Sequence, residues 1–211
     1  MVSFGYSDVV DNIWMIQMSD NPISQHYKNI VLPSWKYRGY DVKEFEAITP
    51  ETLPAEPLRF SKCCSAGTPW PGRGFTDTER AVWYSHYLLW VKCAEMGKPI
   101  LVIEHDTLLL RDLPRRGYQE SVLGLGKVIT EKGRVQRWPA GAYYIPPIKA
   151  KQLIFRAKGS IIDCNVDGFI NSHLRTRKNL WVCLQIIDND IGTTIHHDKE
   201  TDIPSSRRGT F

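Results

Sequence analysis

No window of this 211-residue sequence holds the roughly 18 uncharged apolar residues that a membrane-crossing helix needs. The N-terminal "MVSFGYSDVVDNIWMIQMSD" lacks a basic stretch followed by an apolar core, so nothing in it reads as a secretory leader. The expected setting is the cytoplasm, or a host's cytoplasm if the source is a virus. The five cysteines, including the adjacent Cys63 and Cys64, are odd in number and lack C-x-x-C spacing. That pattern argues against a disulfide framework and a structural zinc site, and reduced thiols are expected. There is no internal repeat and no composition shift that would mark a linker, so one domain is expected over residues 1–198, with a frayed tail at 199–211.

What is present is enough for one substantial core: 42% of residues are hydrophobic and 11% aromatic. The net charge of +4 is unevenly spread, since residues 111–158 carry eleven Lys and Arg against three Asp and Glu. Such a face suits a phosphate-bearing ligand or acceptor, or is simply a solvated surface.

The chain opens with a short apolar strand in "NIWMIQMSD", a helix over Ile23 to Lys36 stopped near Gly39, and a strand over Asp41 to Glu46. The Pro- and Gly-rich "TPETLPAEPLRFSKCCSAGTPWPGRGF" reads as a long loop. A second helix then runs from an N-cap at Thr76 or Asp77 to a stop at Gly97, with Ala81, Tyr84, Leu88, Val91 and Ala94 on its core face. It feeds the strand "PILVIEHD", and "IKAKQLIFRAKG" reads as a later helix. Alternating strands and helices over the first half predict an α/β fold.

The segment "KPILVIEHDTLLLRDLP" sets the functional question, because a buried strand runs directly into Glu104, His105 and Asp106. In open α/β sheets, ligands sit beyond the carboxyl ends of strands. Glu104 and Asp106 could there share a hard cation, Mn²⁺ or Mg²⁺, whose shell is completed by substrate phosphates. A solvated turn or a helix cap is the plainer use of the same residues.

The order of motifs over most of the chain resembles glycosyltransferase family 25, the group of lipooligosaccharide and collagen galactosyltransferases. The residues that carry the resemblance are Glu79 and the Ser85–His86 pair in "TERAVWYSHYLLW", the acidic strand end "ILVIEHD", "PAGAYYIPPIKAKQL", "VDGFI" and "CLQIIDNDI". It implies a GT-A-like fold, a single Rossmann-like domain whose mixed central sheet is flanked by helices, together with a nucleotide-sugar donor (a UDP-sugar foremost), a divalent metal, and transfer with inversion to a saccharide or lipid-linked saccharide. Under it Glu104 and Asp106 bind metal, with His196 or His197 as a late third ligand; a solvent-facing pair is the alternative for these two histidines. Asp167 is the base that accepts the acceptor's proton, or else a helix N-cap. Glu79, Ser85, His86 and Glu104 border the donor; the plainer uses are a helix-terminal carboxylate on the dipole for Glu79 and a structural residue for His86. Where the family carries Glu-Asp-Asp, His105 fills the middle place. Gln17, Ser19 and Asp20 stand where the first strand of the family meets the nucleotide. Trp83 and Trp90 read as core, whereas Trp70 and Trp138 lie in contexts where an indole could stack on a sugar or base.

Two other readings fit the same residues. One keeps the chemistry and changes the acceptor to a hydroxymethylated pyrimidine in DNA, using the basic 111–158 stretch on phosphates. The other is a carbohydrate-binding relative without turnover. The sequence leaves the oligomeric state open.

Overall fold

The computed structural model describes residues 11–55, 57–61, 74–114, 121–129, 135–137, 140–172 and 182–185. The chain begins with β1 (Ile13–Gln17). Asn21 then caps α1 (Pro22–Lys36), its side-chain oxygen accepting from the Ile23 and Ser24 N–H groups while Pro22 fills the first helical position. The left-handed Gly39 ends that helical segment and leads to β2 (Val42–Glu46). The Pro-rich segment expected to be loop contains a 3-10 turn, Pro50–Thr52, and β3 (Arg59–Phe60). Thr76 and Glu79 close a capping box on α2 (Asp77–Met96), which the left-handed Gly97 terminates. There follow β4 (Ile100–Glu104), β5 (Thr107–Leu109), β6 (Leu123–Gly124), β7 (Gly126–Ile129), β8 (Val135–Arg137), β9 (Ala142–Ile145), α3 (Pro147–Gly159), β10 (Ile161–Ile162), α4 (Val166–Asn171) and β11 (Cys183–Gln185).

The central sheet is mixed, as expected, with order β2-β1-β4-β9-β6; β1 is parallel to β2 and β4, and β9 runs antiparallel to β4 and β6. A four-stranded sheet, β5-β11-β7-β8, and the parallel pair β3-β10 complete the described strands. The inner strands are apolar on both faces because both are covered. Ile100 and Val102 of β4, with Tyr143 and Ile145 of β9, pack on the side of α2, α3 and α4. Leu101 and Ile103, with Ala142 and Tyr144, pack on the side of Val31 and Trp35 of α1. One step of register would exchange these layers, so the period of two fixes which side of the sheet each residue serves.

Helix α2 departs from the single stripe expected of it. Ala81 and Tyr84 are buried, but Leu88, Val91 and Ala94 sit at the margin, while Trp83, Ser85, His86, Leu89 and Trp90 are buried. The helix is enclosed by the sheet, by α3 and by the 3-10 turn, so more than one face must be dry. Trp83 and Trp90 are core residues, as the sequence suggests, and they also grip α4. Phe169 meets Trp83 edge-on with ring centroids 4.8 Å apart and stacks against Trp90 at 6.0 Å. The Trp83 indole N–H donates to the Cys164 carbonyl, 3.0 Å away, just ahead of α4.

Replacing Trp83 by Ala therefore opens a large cavity and removes the indole donor from the Cys164 carbonyl. Urea unfolding should show a loss of about 3–5 kcal/mol. A loss under about 1 kcal/mol would contradict this account of how α4 is held.

Candidate functional site

The carboxyl end of β4 carries a line of buried polar groups. His86, from the middle of α2, has no solvent exposure. Its Nδ1 lies 3.0 Å from the Tyr143 hydroxyl of β9, and its Nε2 faces Glu104 Oε1 at 3.5 Å. The Trp90 indole N–H donates to the same hydroxyl at 2.9 Å. With the Tyr143 hydroxyl donating to His86 Nδ1, the histidine proton sits on Nε2, on the side of Glu104. Burial pushes the His86 pKa down to about 4, against the opposing pull of the Asp167 charge, so the ring is neutral at pH 7. Burial likewise holds the Tyr143 hydroxyl well above its ordinary range, so it remains a donor.

Asp167 joins this line from α4. It is not the N-cap: Asn165 caps the helix, accepting from the Gly168 N–H at 2.8 Å, and a side chain on Gly168 would come within 3.1 Å of that capping oxygen. Asp167 instead accepts the Ala140 N–H at 2.9 Å. The next residue, Gly141, accepts from the Glu104 N–H at 3.0 Å and from the Thr107 hydroxyl at 2.7 Å. One short turn ahead of β9 thus ties together the end of β4, the start of β5 and the first turn of α4. Burial, and then the negative charge of Glu104, raise the Asp167 pKa to about 6; the Ala140 hydrogen bond and His86 work in the opposite direction. A carboxylate tuned close to neutrality beside a second carboxylate is an arrangement suited to proton transfer.

The acidic triplet divides across the sheet. Glu104 faces α2, whereas the buried His105 lies against the Tyr27 ring of α1, with centroids 6.2 Å apart. Burial lowers the His105 pKa to about 4, partly offset by a hydrogen bond with the Ile16 backbone. Asp106 is buried in the turn between β4 and β5. Among the described residues no three His, Cys, Asp or Glu side chains gather as a metal cage. A hard cation bound mainly through a diphosphate uses only one or two protein carboxylates, which is the number this strand end provides. His196 and His197 lie outside the described residues, as do Trp70, Trp138, Cys63, Cys64 and the 199–211 tail.

The remaining expected site residues are placed as follows. Ile16 is in register with Glu104, so Gln17 and Ser19 follow β1 out at the same edge. Gln17 is buried: its amide nitrogen donates to Glu46 at 2.7 Å and its oxygen accepts from Gln25 at 2.6 Å. The Ser19 N–H donates to the other Glu46 oxygen at 2.8 Å, and Ser19 is exposed. The Ser85 hydroxyl donates to the Ala81 carbonyl and accepts from the Ile48 N–H, both at 2.9 Å, pinning the chain after β2 to α2. Glu79 accepts from the Thr76 N–H at 2.9 Å in the capping box. Ser85 and His86 are therefore behind the surface, whereas Ser19 is on it. Tyr143, Ala140 and Glu46 touch these candidate residues and were not singled out by the sequence. Tyr143 had no signal beyond the alternation of "AYYI", which puts it and Tyr144 on opposite faces.

Residues 23–118 match the family described as glycosyltransferase family 25 (LPS biosynthesis protein), a span that takes in α1, α2, β4 and the acidic strand end. The match supports a glycosyltransferase. Among solved structures, the chain is similar to one titled "crystal structure of a glycosyltransferase involved in the glycosylation of the major capsid of PBCV-1". The identity is 9%, with a TM-score of 0.36, over 69% of this chain and 67% of that one. No curated protein matches the chain.

The two shifted groups act oppositely on stability. Asp167 has a raised pKa, so the cost of its buried charge is present above about pH 6 and fades as the pH falls towards 3.8. His86 has a lowered pKa, so its cost is absent above pH 6.5 and grows as the pH falls towards about 4. Asp167→Asn keeps an oxygen for the Ala140 N–H and removes the charge. In chelator at neutral pH the variant should be more stable than the parent by up to about 3 kcal/mol, with the gain vanishing near pH 4. Denaturant melts across this range decide it, and a variant no more stable at any pH would show that the charge is not strained.

Proposed function

We propose that the chain is a GT-A-like glycosyltransferase that moves a sugar from a nucleotide-sugar donor to a hydroxyl on a saccharide or lipid-linked saccharide, with inversion. The observation that carries this reading is the convergence of Asp167 and Glu104 at the carboxyl edge of β4, with Asp167 raised to about 6. The family match over the preceding elements supports the same chemistry.

In a single inverting displacement the acceptor oxygen bonds to the anomeric carbon as the bond to the diphosphate oxygen breaks. The acceptor's proton must leave as that bond forms. Asp167 takes it: ionised at neutral pH yet close enough to neutrality to hold a proton, and oriented by the Ala140 N–H. Glu104 borders the donor and raises the basicity of Asp167 through its charge. His86 and Tyr143 are positioning residues, acting through Glu104 rather than on substrate. Gln17 and Ser19, at the end of β1, face the nucleotide side. Gln17 acts there through its bonds to Glu46 and Gln25, and Ser19 by direct contact. Glu79 sits in the first turn of α2, seven residues before His86. At about 1.5 Å per residue it lies roughly 10 Å further along the helix, where it can border the sugar. Mn²⁺ or Mg²⁺, where bound, supplies charge neutralisation for the leaving diphosphate, and Asp106 with Glu104 are the residues that would hold it.

A thermal-shift panel of nucleotide sugars, with and without Mn²⁺ or Mg²⁺, should single out one donor, a UDP-sugar foremost, that raises the melting temperature. With that donor, Asp167→Asn should lower transfer by about 10²–10⁴-fold while the thermal shift persists. The parent kcat/KM should fall as the pH drops below about 6, where Asp167 protonates. Undiminished transfer by Asp167→Asn would remove Asp167 from the base role, and the absence of any stabilising nucleotide sugar would sink the transferase reading.

A further inference from the structure

Helix α3 has a dry inner face and an outer face of unusual composition. Ala150, Leu153 and Ala157 are buried against α2 and the sheet. On the opposite side Ile148 is 49% exposed and Phe155 79%, and Ile161, just past the helix, is 61% exposed. Ile148 and Phe155 are seven residues apart, so they share one stripe, about 10 Å from end to end. Lys151 and Lys158 flank this stripe on one side and Lys149 and Arg156 on the other; Lys151, Arg156 and Lys158 are exposed. The helix has no acidic residue. Of the basic 111–158 stretch, this is where the described positive charge is concentrated.

We propose that the outer face of α3, with Ile161, docks the protein peripherally on an anionic lipid surface, its apolar side chains entering the interface and its cations meeting the headgroups. Apolar tips within a ring of cations match such a surface on both counts. Duplex nucleic acid would use the cations, but exposed Phe and Ile side chains gain little against a phosphate backbone. A second copy of the same helix would bring four cations against four, and α3 carries no acidic residue to answer them. The placement also has a consequence for reach. Strand β9 runs antiparallel to β4, so α3 starts at the edge far from Glu104 and climbs back, and six residues separate its end from the start of α4, which carries Asp167. The docked face thus leads towards the candidate site. The proposal stands on α3 alone and does not require the transferase reading.

The test is co-sedimentation of the full chain with phosphatidylcholine vesicles, with and without about one third phosphatidylglycerol, at low and high salt. Binding is expected only to the anionic vesicles and should weaken with salt. Phe155→Gln should lower the affinity roughly tenfold, and Lys151→Glu with Lys158→Glu roughly fivefold for each charge removed. These positions are exposed, so circular dichroism and melting temperature should stay at parent values. No binding to anionic vesicles, or binding that Phe155→Gln leaves unchanged, overturns the proposal. Salt-sensitive retention on duplex DNA that the Lys changes abolish, without vesicle binding, would assign the face to nucleic acid. A dimer in sedimentation velocity that Phe155→Gln dissolves would assign it to self-association.

Discussion

A histidine with no exposure to water constrains the centre of this fold. Neither ring nitrogen of His86 can turn to solvent, so each needs a polar neighbour inside the core. Tyr143, itself held by Trp90, meets one nitrogen and Glu104 faces the other. These contacts bind the middle of α2 to two adjacent strands of the central sheet. They also set His86 Nε2 beside Glu104 at the strand end. Because the ring stays neutral, Glu104 gains a dipole beside it and not a counter-charge, so its negative charge remains effective at Asp167.

Asp167 depends on a second arrangement built around the same strand end. The Ala140–Gly141 turn offers one N–H to Asp167 and one carbonyl to both Glu104 and Thr107. Helix α4 is only six residues long and could not hold its position by its own hydrogen bonds. Phe169 between Trp83 and Trp90 and the indole bond to Cys164 supply that hold from α2. Two carboxylates are thereby kept closer than their charges favour. Packing against α2 offsets this strain, the usual relation between a poised site and the scaffold around it.

Much of this was legible in the sequence. The opening β-α-β order, both glycine stops, the N-cap of α2 at Thr76 and the exit of β4 into acidic residues all follow from local chemistry, which acts within a few positions. What was illegible is long-range. Tyr143 is 57 residues from His86, and no spacing rule connects them. The stripe assigned to α2 failed at Leu88, Val91 and Ala94 because a helix enclosed on several sides has no single apolar face. The short β3 could not be read from a Pro-rich stretch, since its only pairing among the described residues is to β10, about a hundred residues later. In the sequence Asp167 reads equally as cap or base, and only the folded chain shows that Asn165 occupies the cap.

The triplet at the end of β4 shows why neighbours in sequence can belong to different tasks. Successive residues of a strand point to opposite faces. Glu104 is committed to the α2 side with His86, whereas His105 is committed to the α1 side, against Tyr27 and the Ile16 backbone. The side chain that departs from an all-acidic triplet therefore falls in the layer that does not carry Asp167. A neutral, buried imidazole there adds no charge to the site. It instead joins the ends of β1 and β4 across the α1 layer, at the level where Gln17 and Glu46 join β1 to β2. The strand edge is thus braced on one face by neutral polar contacts and charged on the other, which lets the carboxylates be strained without loosening the sheet that presents them.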